Sequence, residues 1–442
     1  RGSATHNGGG SEQRFTLTWG DDKLNHRRTR LSLGIDGYKR DALMASDRWF
    51  SKNADLRRTL KIPAPWNGRP FTLPGATALT RDNDFNNATN ISRFGFYTRG
   101  IANPDGSVTG SRPTSNRGIT TAATTTTQSP SAAMSTDGRF YLVPLADGRV
   151  GFHPSATVPV ASIDSHLSGY YHNTNDGAYI LPKTDRLSVG ASVDHRLGNR
   201  MTLFSDLFLY RANSVTGRTN VQIDAADTRN LSVGVDNPYN PFGSRFYHAT
   251  GAPNADGTTR FVGTPSPVVI NGVRPLDHKN RNIFVQSTSF RGTLGVRGKL
   301  GAGWEWESGL LYGGAYTHDF ENRNIRESKL AAALQSNNPA EAYNPFGYTF
   351  RIDPATNFIT INQPYSNPEP LMASMTDEYH REAWTGLGIW DFKANGKIWS
   401  LFGNDISAAA GVEARHETYK FRMAPYHGPA PDLRPELHGD ER

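Results

Sequence analysis

The sequence predicts an all-β fold, a transmembrane antiparallel β-barrel of the bacterial outer membrane. Three observations favour it: alternating strands of about 9 to 11 residues, tight turns that join them in pairs, and very long irregular connections between the pairs. Hydrocarbon offers no hydrogen-bond partner to a backbone amide. A spanning sheet must therefore close on itself and show one face to lipid and the other to the lumen.

Four hairpins carry the alternation of apolar and polar side chains. They pair residues 13–20 with 28–39, 186–196 with 201–211, 291–299 with 304–317, and 383–393 with 405–419. We expect the apolar positions to face lipid, although Phe204 and Phe208 fall on the polar side and are exceptions to the alternation. The polar positions that we expect to face the lumen include Asp206, Glu305, Glu307, Glu413 and Arg415.

Long loops separate the hairpins, and we expect them to lie outside the cell at residues 52–185, 212–281 and 319–382. Before the first loop, residues 41–51 predict a short helix. Within the first loop, residues 139–145 and 149–153 predict a small hairpin, and in the third loop residues 324–335 predict a second short helix. Residues 1–442 are thus expected to form one partial barrel domain.

The composition restricts the function classes. The chain has no run near 18 apolar residues, so we expect no transmembrane helix. It has no cysteine, which excludes disulfides, thiol catalysis and cysteine-ligated metals within these residues. The net charge of +7 is spread among loops and strands, so nucleic acid is not an expected partner.

Both ends of the chain have the composition of loops. The first residues lack an initiator methionine and any basic-then-apolar leader, and the last six residues are mostly polar. We interpret the chain as an internal fragment of a longer polypeptide.

One pentapeptide occurs twice, as Tyr239-Asn240-Pro241-Phe242-Gly243 and as Tyr343-Asn344-Pro345-Phe346-Gly347. Asn, Pro and Gly are turn formers, so one interpretation is a loop knot held by the aromatic rings. The other interpretation is a ligand mouth. Its candidate ligand-binding residues are Tyr239, Asn240, Phe242, Tyr343, Asn344 and Phe346.

These segments carry a family resemblance. Each pentapeptide follows an Asn-Pro pair, residues 41–48 read Asp-Ala-Leu-Met-Ala-Ser-Asp-Arg, and residues 411–417 read Gly-Val-Glu-Ala-Arg-His-Glu. In this order the sequence resembles the TonB-dependent outer-membrane receptors, particularly their large-looped proteobacterial branch. Ala414 stands where that family has an aromatic residue.

The resemblance implies a barrel of about 22 strands with an N-terminal plug. It also implies uptake of an iron-siderophore, cobalamin or a glycan with energy relayed by TonB. The chain would form the first part of the barrel, without the plug and the C-terminal strands. The implied partners are outer-membrane lipid, the TonB complex through the missing plug region, and a small-molecule or oligosaccharide ligand.

Two alternatives stay open. A soluble glycan-active or glycan-binding β-protein would also alternate, and Glu305 and Glu307 stand about 7 Å apart, a separation that glycosidases use. The other alternative is a porin without a plug. We nevertheless expect no enzymatic activity, no catalytic residue and no cofactor, and Glu305 and Glu307 to pair with Lys or Arg. We also expect no metal, because His172 and Asp176 lack a regular ligand spacing.

Overall fold

The computed structural model describes residues 2–3, 9–54, 91–102, 108–109, 139–144, 150–153, 172–224, 231–423 and 437–438. The fold is all-β and is built on one large antiparallel sheet. Eight long strands follow one another through it in chain order. They are β1 (Glu12–Lys23), β2 (Thr29–Arg40), β3 (Lys183–Leu197), β4 (Met201–Arg218), β5 (Arg281–Lys299), β6 (Glu305–Arg326), β7 (Thr376–Leu401) and β8 (Asn404–Met423).

The four predicted hairpins are confirmed: β1 pairs with β2, β3 with β4, β5 with β6, and β7 with β8. The strands continue beyond the predicted ends on the side of the long connections. β4 reaches Arg218, β6 reaches Arg326 and β7 begins at Thr376. The connections 212–281 and 319–382 are therefore shorter than predicted, because polar residues continue the hydrogen-bonded ladder.

The two faces of the sheet follow from the register. Leu310 lies opposite Leu294 and Trp390, whereas Leu311 lies opposite Thr293 and Ile389. Successive residues of a strand point to opposite faces. We call the face that carries Leu310 the apolar face and the face that carries Leu311 the polar face.

The connections form smaller sheets. Six short strands make one of them: Phe96–Arg99, Arg139–Pro144, Val150–His153, Ile223–Asp224, Ser232–Val233 and Val268–Val273. Four further pairs are Leu43–Met44 with Tyr179–Leu181, Ile101–Ala102 with Val108–Thr109, Tyr247–His248 with Phe261–Val262, and Tyr348–Asp353 with Phe358–Pro364. Gly2–Ser3 pairs with β1, and Leu437–His438 pairs with β6.

Helices are few and short. They are α1 (Glu327–Gln335), α2 (Glu369–Met375), the four-residue turn Leu24–Arg27 and the 3₁₀ turns Ala45–Asp47 and Gly301–Gly303. Among the described residues, no helix has the length and apolar character needed to cross a membrane.

The predictions for the connections have mixed outcomes. The small hairpin is confirmed, since Arg139–Pro144 pairs with Val150–His153. The helix predicted at 324–335 begins only at Glu327, because residues 324–326 still belong to β6. The helix predicted at 41–51 is wrong. Leu43–Met44 is a strand paired with Tyr179–Leu181, which leaves only one 3₁₀ turn after it.

The hydrophobic core lies in the connections and not against the sheet. Among the described residues, the buried apolar cluster runs from Phe94 to Met375, and its one contribution from the eight long strands is Ile325, near the end of β6. We call this packed unit the loop module. Hydrophobic burial thus fixes the connections, while large apolar side chains of the sheet stay exposed, among them Leu294, Leu310, Tyr312 and Val412.

Candidate functional site

The polar face brings together the five residues predicted to face a lumen. Asp206, Thr293, Leu311, Ile389 and Arg415 form one row across five strands. By the same register and alternation, Glu305, Glu307 and Glu413 lie on the same face in neighbouring rows.

Ion pairs organise the charges of this face. They join Lys393 Nζ to Glu307 Oε1 at 2.7 Å, Arg297 to Asp194 at 2.8 Å, and Lys299 Nζ to Glu305 Oε1 at 3.9 Å. Glu305 and Glu307 therefore each have a lysine beside the carboxylate. This is the arrangement expected of charged side chains on a hydrated surface. Arg297 and Lys393 were not among the site residues predicted from the sequence, because their positions opposite Glu307 depend on the register between strands.

Phe204 has a structural reason to lie on the polar face. It is opposite Gly295, and its ring covers that glycine so closely that a Cβ there would lie 2.2 Å from Phe204 Cζ. The Arg297 guanidinium carbon lies 5.4 Å from the centre of the same ring. The ring thus fills the space that Gly295 leaves and supports Arg297.

The first pentapeptide is a buried turn. Asn240 Nδ2 donates to the carbonyl oxygens of Gly234 and Ser266, each at 2.9 Å, and its Oδ1 accepts from the Phe242 amide at 2.8 Å. Asn240 and Phe242 are fully buried. Asn240 replaces backbone partners that this loop lacks, which is the usual role of asparagine in turns.

The second pentapeptide repeats this geometry. Asn344 Oδ1 accepts from the Phe346 amide at 2.9 Å, and its Nδ2 donates to Tyr348 O at 3.0 Å. Asn367 holds the same turn by donating to Asn344 O at 2.9 Å and accepting from Asn344 N at 2.8 Å. Tyr343, Asn344 and Phe346 are buried.

An aromatic chain joins the two pentapeptides through residues of the first connection. Ring centres are 5.6 Å apart for Phe242 and Phe140, 5.4 Å for Phe140 and Tyr97, and 4.8 Å for Tyr97 and Phe346. Asn237 Nδ2 also donates to Tyr343 O at 3.2 Å. The contacts therefore support the interpretation of a knot, and the knot ties all three long connections together.

Tyr239 is the one candidate ligand-binding residue of the six that stays partly exposed. Its hydroxyl lies 2.5 Å from the hydroxyl of Tyr365, and the two ring centres are 4.7 Å apart. Burial, followed by the hydrogen bond to Tyr365, raises the pKa of Tyr239 above its ordinary range. This tyrosine pair offers two neighbouring aromatic surfaces at the outside of the knot.

A buried histidine contacts the second pentapeptide. His278 Nε2 lies 3.1 Å from Tyr343 Oη, and its Nδ1 has no partner among the described residues. Burial lowers the pKa of His278 to about 4, whereas the negative charge of Asp277 opposes this shift. Burial also raises the pKa of Tyr343. The pair is therefore held neutral at ordinary pH.

His172, which the sequence singled out together with Asp176, contacts a threonine. Its Nε2 lies 2.6 Å from Thr219 Oγ1, and its pKa falls to about 4 through burial and the charge of Arg274. In the described ranges, no group of three or more His, Asp or Glu residues is placed to hold a metal ion.

The chain was also compared with known proteins. No protein-family model matches it, and no curated protein sequence matches it.

Proposed function

We propose that this chain forms part of the wall of an outer-membrane β-barrel that takes up a scarce ligand, as TonB-dependent receptors do. One observation carries the membrane assignment. Four successive rows of the apolar face, from the row of Ser308 to the row of Gly314, cross β2 to β8 without an Asp, Glu, Lys or Arg. The polar face of the same stretch carries many charges, among them Asp194, Asp206, Arg291, Arg297, Glu307, Asp391, Lys393, Glu413, Arg415 and Glu417.

The apolar face has no protein cover among the described residues. Leu310 is 57% exposed, Leu294 52% and Tyr312 66%. A soluble sheet would bury such a face against a core, and exposed apolar patches of this extent mark binding surfaces. Lipid is the partner that matches a face without charge.

The height of the uncharged band fits a bilayer. Trp306 and Tyr316 lie at its two borders on the same strand, and about 33 Å of extended chain separates them. At a tilt of about 40° this length covers about 25 Å of depth, close to the apolar band of such barrels. Tyr316 and Trp384 pack together at the loop-side border, where aromatic side chains suit the interface.

The free edges of the sheet support a larger barrel. Among the described residues, the outer edge of β8 has no strand partner, and β1 pairs on its outer side only with Gly2–Ser3. The unpaired backbone groups of an open strand edge would have no hydrogen-bond partner in hydrocarbon. We infer that further strands pair with both edges, and that this sheet is one sector of the wall.

The orientation follows from the connections. Outer-membrane barrels have short turns on the periplasmic side and longer loops outside. The turns at 24–28, 198–200, 300–304 and 402–403 would then face the periplasm, and the loop module would face outward. The assignment to ligand uptake rests on the resemblance of the two pentapeptides and residues 41–48 and 411–417 to the receptor family.

Cell fractionation of the full-length protein tests the proposal. We expect the protein in the outer-membrane fraction after a urea wash, soluble only in detergent, and with gel mobility that changes on heating. Ligand uptake by the intact receptor should stop when TonB is deleted. A protein that is monodisperse in buffer without detergent would contradict the membrane assignment, and uptake that persists without TonB would contradict the energised transport.

A further inference from the structure

The turn end of the polar face contains a cavity of about 920 Å³. Its lining includes two neighbouring rows of the polar face, each made of residues that lie opposite one another on adjacent strands. One row runs from Arg196 through Arg297 to Lys393, and the next contains Lys299 and Glu305. The cavity belongs to the rigid part of the sheet, because its walls are hydrogen-bonded strands and the tight turn between β3 and β4.

Positive charge exceeds negative charge in this cavity. Its lining contains five lysine and arginine residues but only two carboxylates. Three of the five cations have a carboxylate partner: Arg297 with Asp194, Lys393 with Glu307 and Lys299 with Glu305. Arg196 and Arg200, on either side of the β3–β4 turn, form no ion pair within the described part of the chain.

The two unmatched arginines define the chemistry of the site. A guanidinium group is planar, stays charged at every physiological pH and binds a carboxylate through two parallel hydrogen bonds. Two of them at one turn suit two carboxylates of one segment. The cavity is larger than a single inorganic anion needs and lies within the range of sites that enclose an extended ligand.

We propose that this cavity binds an acidic peptide segment of a partner protein, with Arg196 and Arg200 as the groups that recognise its carboxylates. The lysine–glutamate pairs of the neighbouring strands form the polar rim. The site goes beyond the proposed uptake function and does not rest on it, because its charges and its cavity are the same whether the apolar face meets lipid or protein.

The experiment measures the binding of a fluorescein-labelled hexaglutamate peptide to the purified full-length protein by fluorescence anisotropy at physiological salt. A hexaglutamine peptide is the matched ligand. We expect the first peptide to bind and the second not to bind. In the double variant Arg196→Gln and Arg200→Gln, affinity for hexaglutamate should fall at least about tenfold, since charge-assisted hydrogen bonds are lost.

The matched control variant is Arg27→Gln with Arg28→Gln. It removes the same charge from the neighbouring hairpin turn, outside the cavity. We expect it to keep affinity within about twofold, because neither side chain lines the cavity. An equal loss in both double variants would mean general electrostatic attraction and would overturn the proposal. Displacement of the peptide by inorganic phosphate at equal concentration would overturn the assignment to a peptide.

A second measurement keeps both arginines and so does not depend on how the variants fold. The chain contains no cysteine, so Asn199→Cys places one bimane label in the cavity and Asn404→Cys places one at the fourth hairpin turn. Hexaglutamate should shift the emission of the label at position 199 only. No shift at 199, or equal shifts at both positions, would reject the cavity as the binding site.

Discussion

Leu310 and Leu311 are neighbours in β6 and lie on opposite faces of the sheet. Leu310 stands between Leu294 and Trp390 on the apolar face, and Leu311 stands between Thr293 and Ile389 on the polar face. The row of Leu311 contains Asp206 in β4 and Arg415 in β8. Because leucine occupies both positions, a matched pair of substitutions can test the proposed membrane contact.

We predict that Leu310→Arg destabilises the protein by about 2–4 kcal/mol in lipid vesicles, the cost of arginine at the bilayer midplane of a barrel. Leu311→Arg should cost much less, because position 311 lies on the charged polar face, in the row that contains Asp206 and Arg415. Urea unfolding in vesicles, followed by tryptophan fluorescence, gives both values. Equal costs for the two substitutions would contradict the assignment of faces.

Asn240 is predicted to stabilise the loop module. Asn240→Ala leaves the buried Phe242 amide and the Ser266 carbonyl oxygen without this partner, at a cost of about 1–3 kcal/mol. Asn338→Ala is the control, since Asn338 makes the same kind of turn at an exposed position by accepting from the Ala340 amide. Hydrogen exchange of the loop amides should show faster opening in the first variant only. Equal protection in both variants would argue against the knot.

The loop module is predicted to lose stability in acid. His278 binds its proton more weakly in the folded state, with a pKa of about 4, than in the unfolded state, with its ordinary value of 6.5. Its contribution is therefore complete above pH 6.5 and is lost as the pH falls toward 4.

Limited proteolysis of the loops between pH 7 and pH 4 measures this effect. His278→Gln should reduce the pH dependence, and His172, whose pKa is also lowered to about 4, contributes to the part that remains. His248→Gln is the control, at a histidine whose ring hydrogen-bonds to Thr250. Cleavage independent of pH in the wild type would refute the prediction.

Gly295 is predicted to be intolerant of a side chain. A Cβ at this position would lie 2.2 Å from Phe204 Cζ and 2.7 Å from the Ser308 carbonyl oxygen, so Gly295→Ala must displace the Phe204 ring. Such overpacking costs about 1–3 kcal/mol. Gly34→Ala on the same face is the control, since nothing lies within 4 Å of its added Cβ. The two variants are compared by the temperature at which gel mobility changes, and similar temperatures would contradict the packing.

Local alternation was enough to predict the hairpins and the faces of the sheet. Period-two patterns such as Trp306 to Tyr316 depend only on neighbouring residues and on one apolar surface. The loop module could not be predicted in this way. Tyr97, Phe242 and Phe346 are far apart in sequence, and their contacts arise from packing among three connections, which no local pattern encodes.

The site residues likewise include some that the sequence could predict and some that it could not. The alternation was sufficient to put Glu305 and Glu307 on a polar face, but their partners Lys299 and Lys393 depend on the register between strands. The short helix predicted at 41–51 failed for a related reason. Leu43–Met44 finds a distant strand partner at Tyr179–Leu181, and that pairing overrides local helix propensity.

The most direct test of the proposed membrane wall is a spin-label scan of β6. The chain contains no cysteine, so single cysteines can be placed in turn from position 307 to position 314 and labelled. In lipid vesicles, we predict that positions 308, 310, 312 and 314 are accessible to oxygen dissolved in lipid, and that positions 307, 309, 311 and 313 are accessible to a water-soluble nickel complex. Accessibility to the nickel complex at every position, without a period of two, would contradict the account.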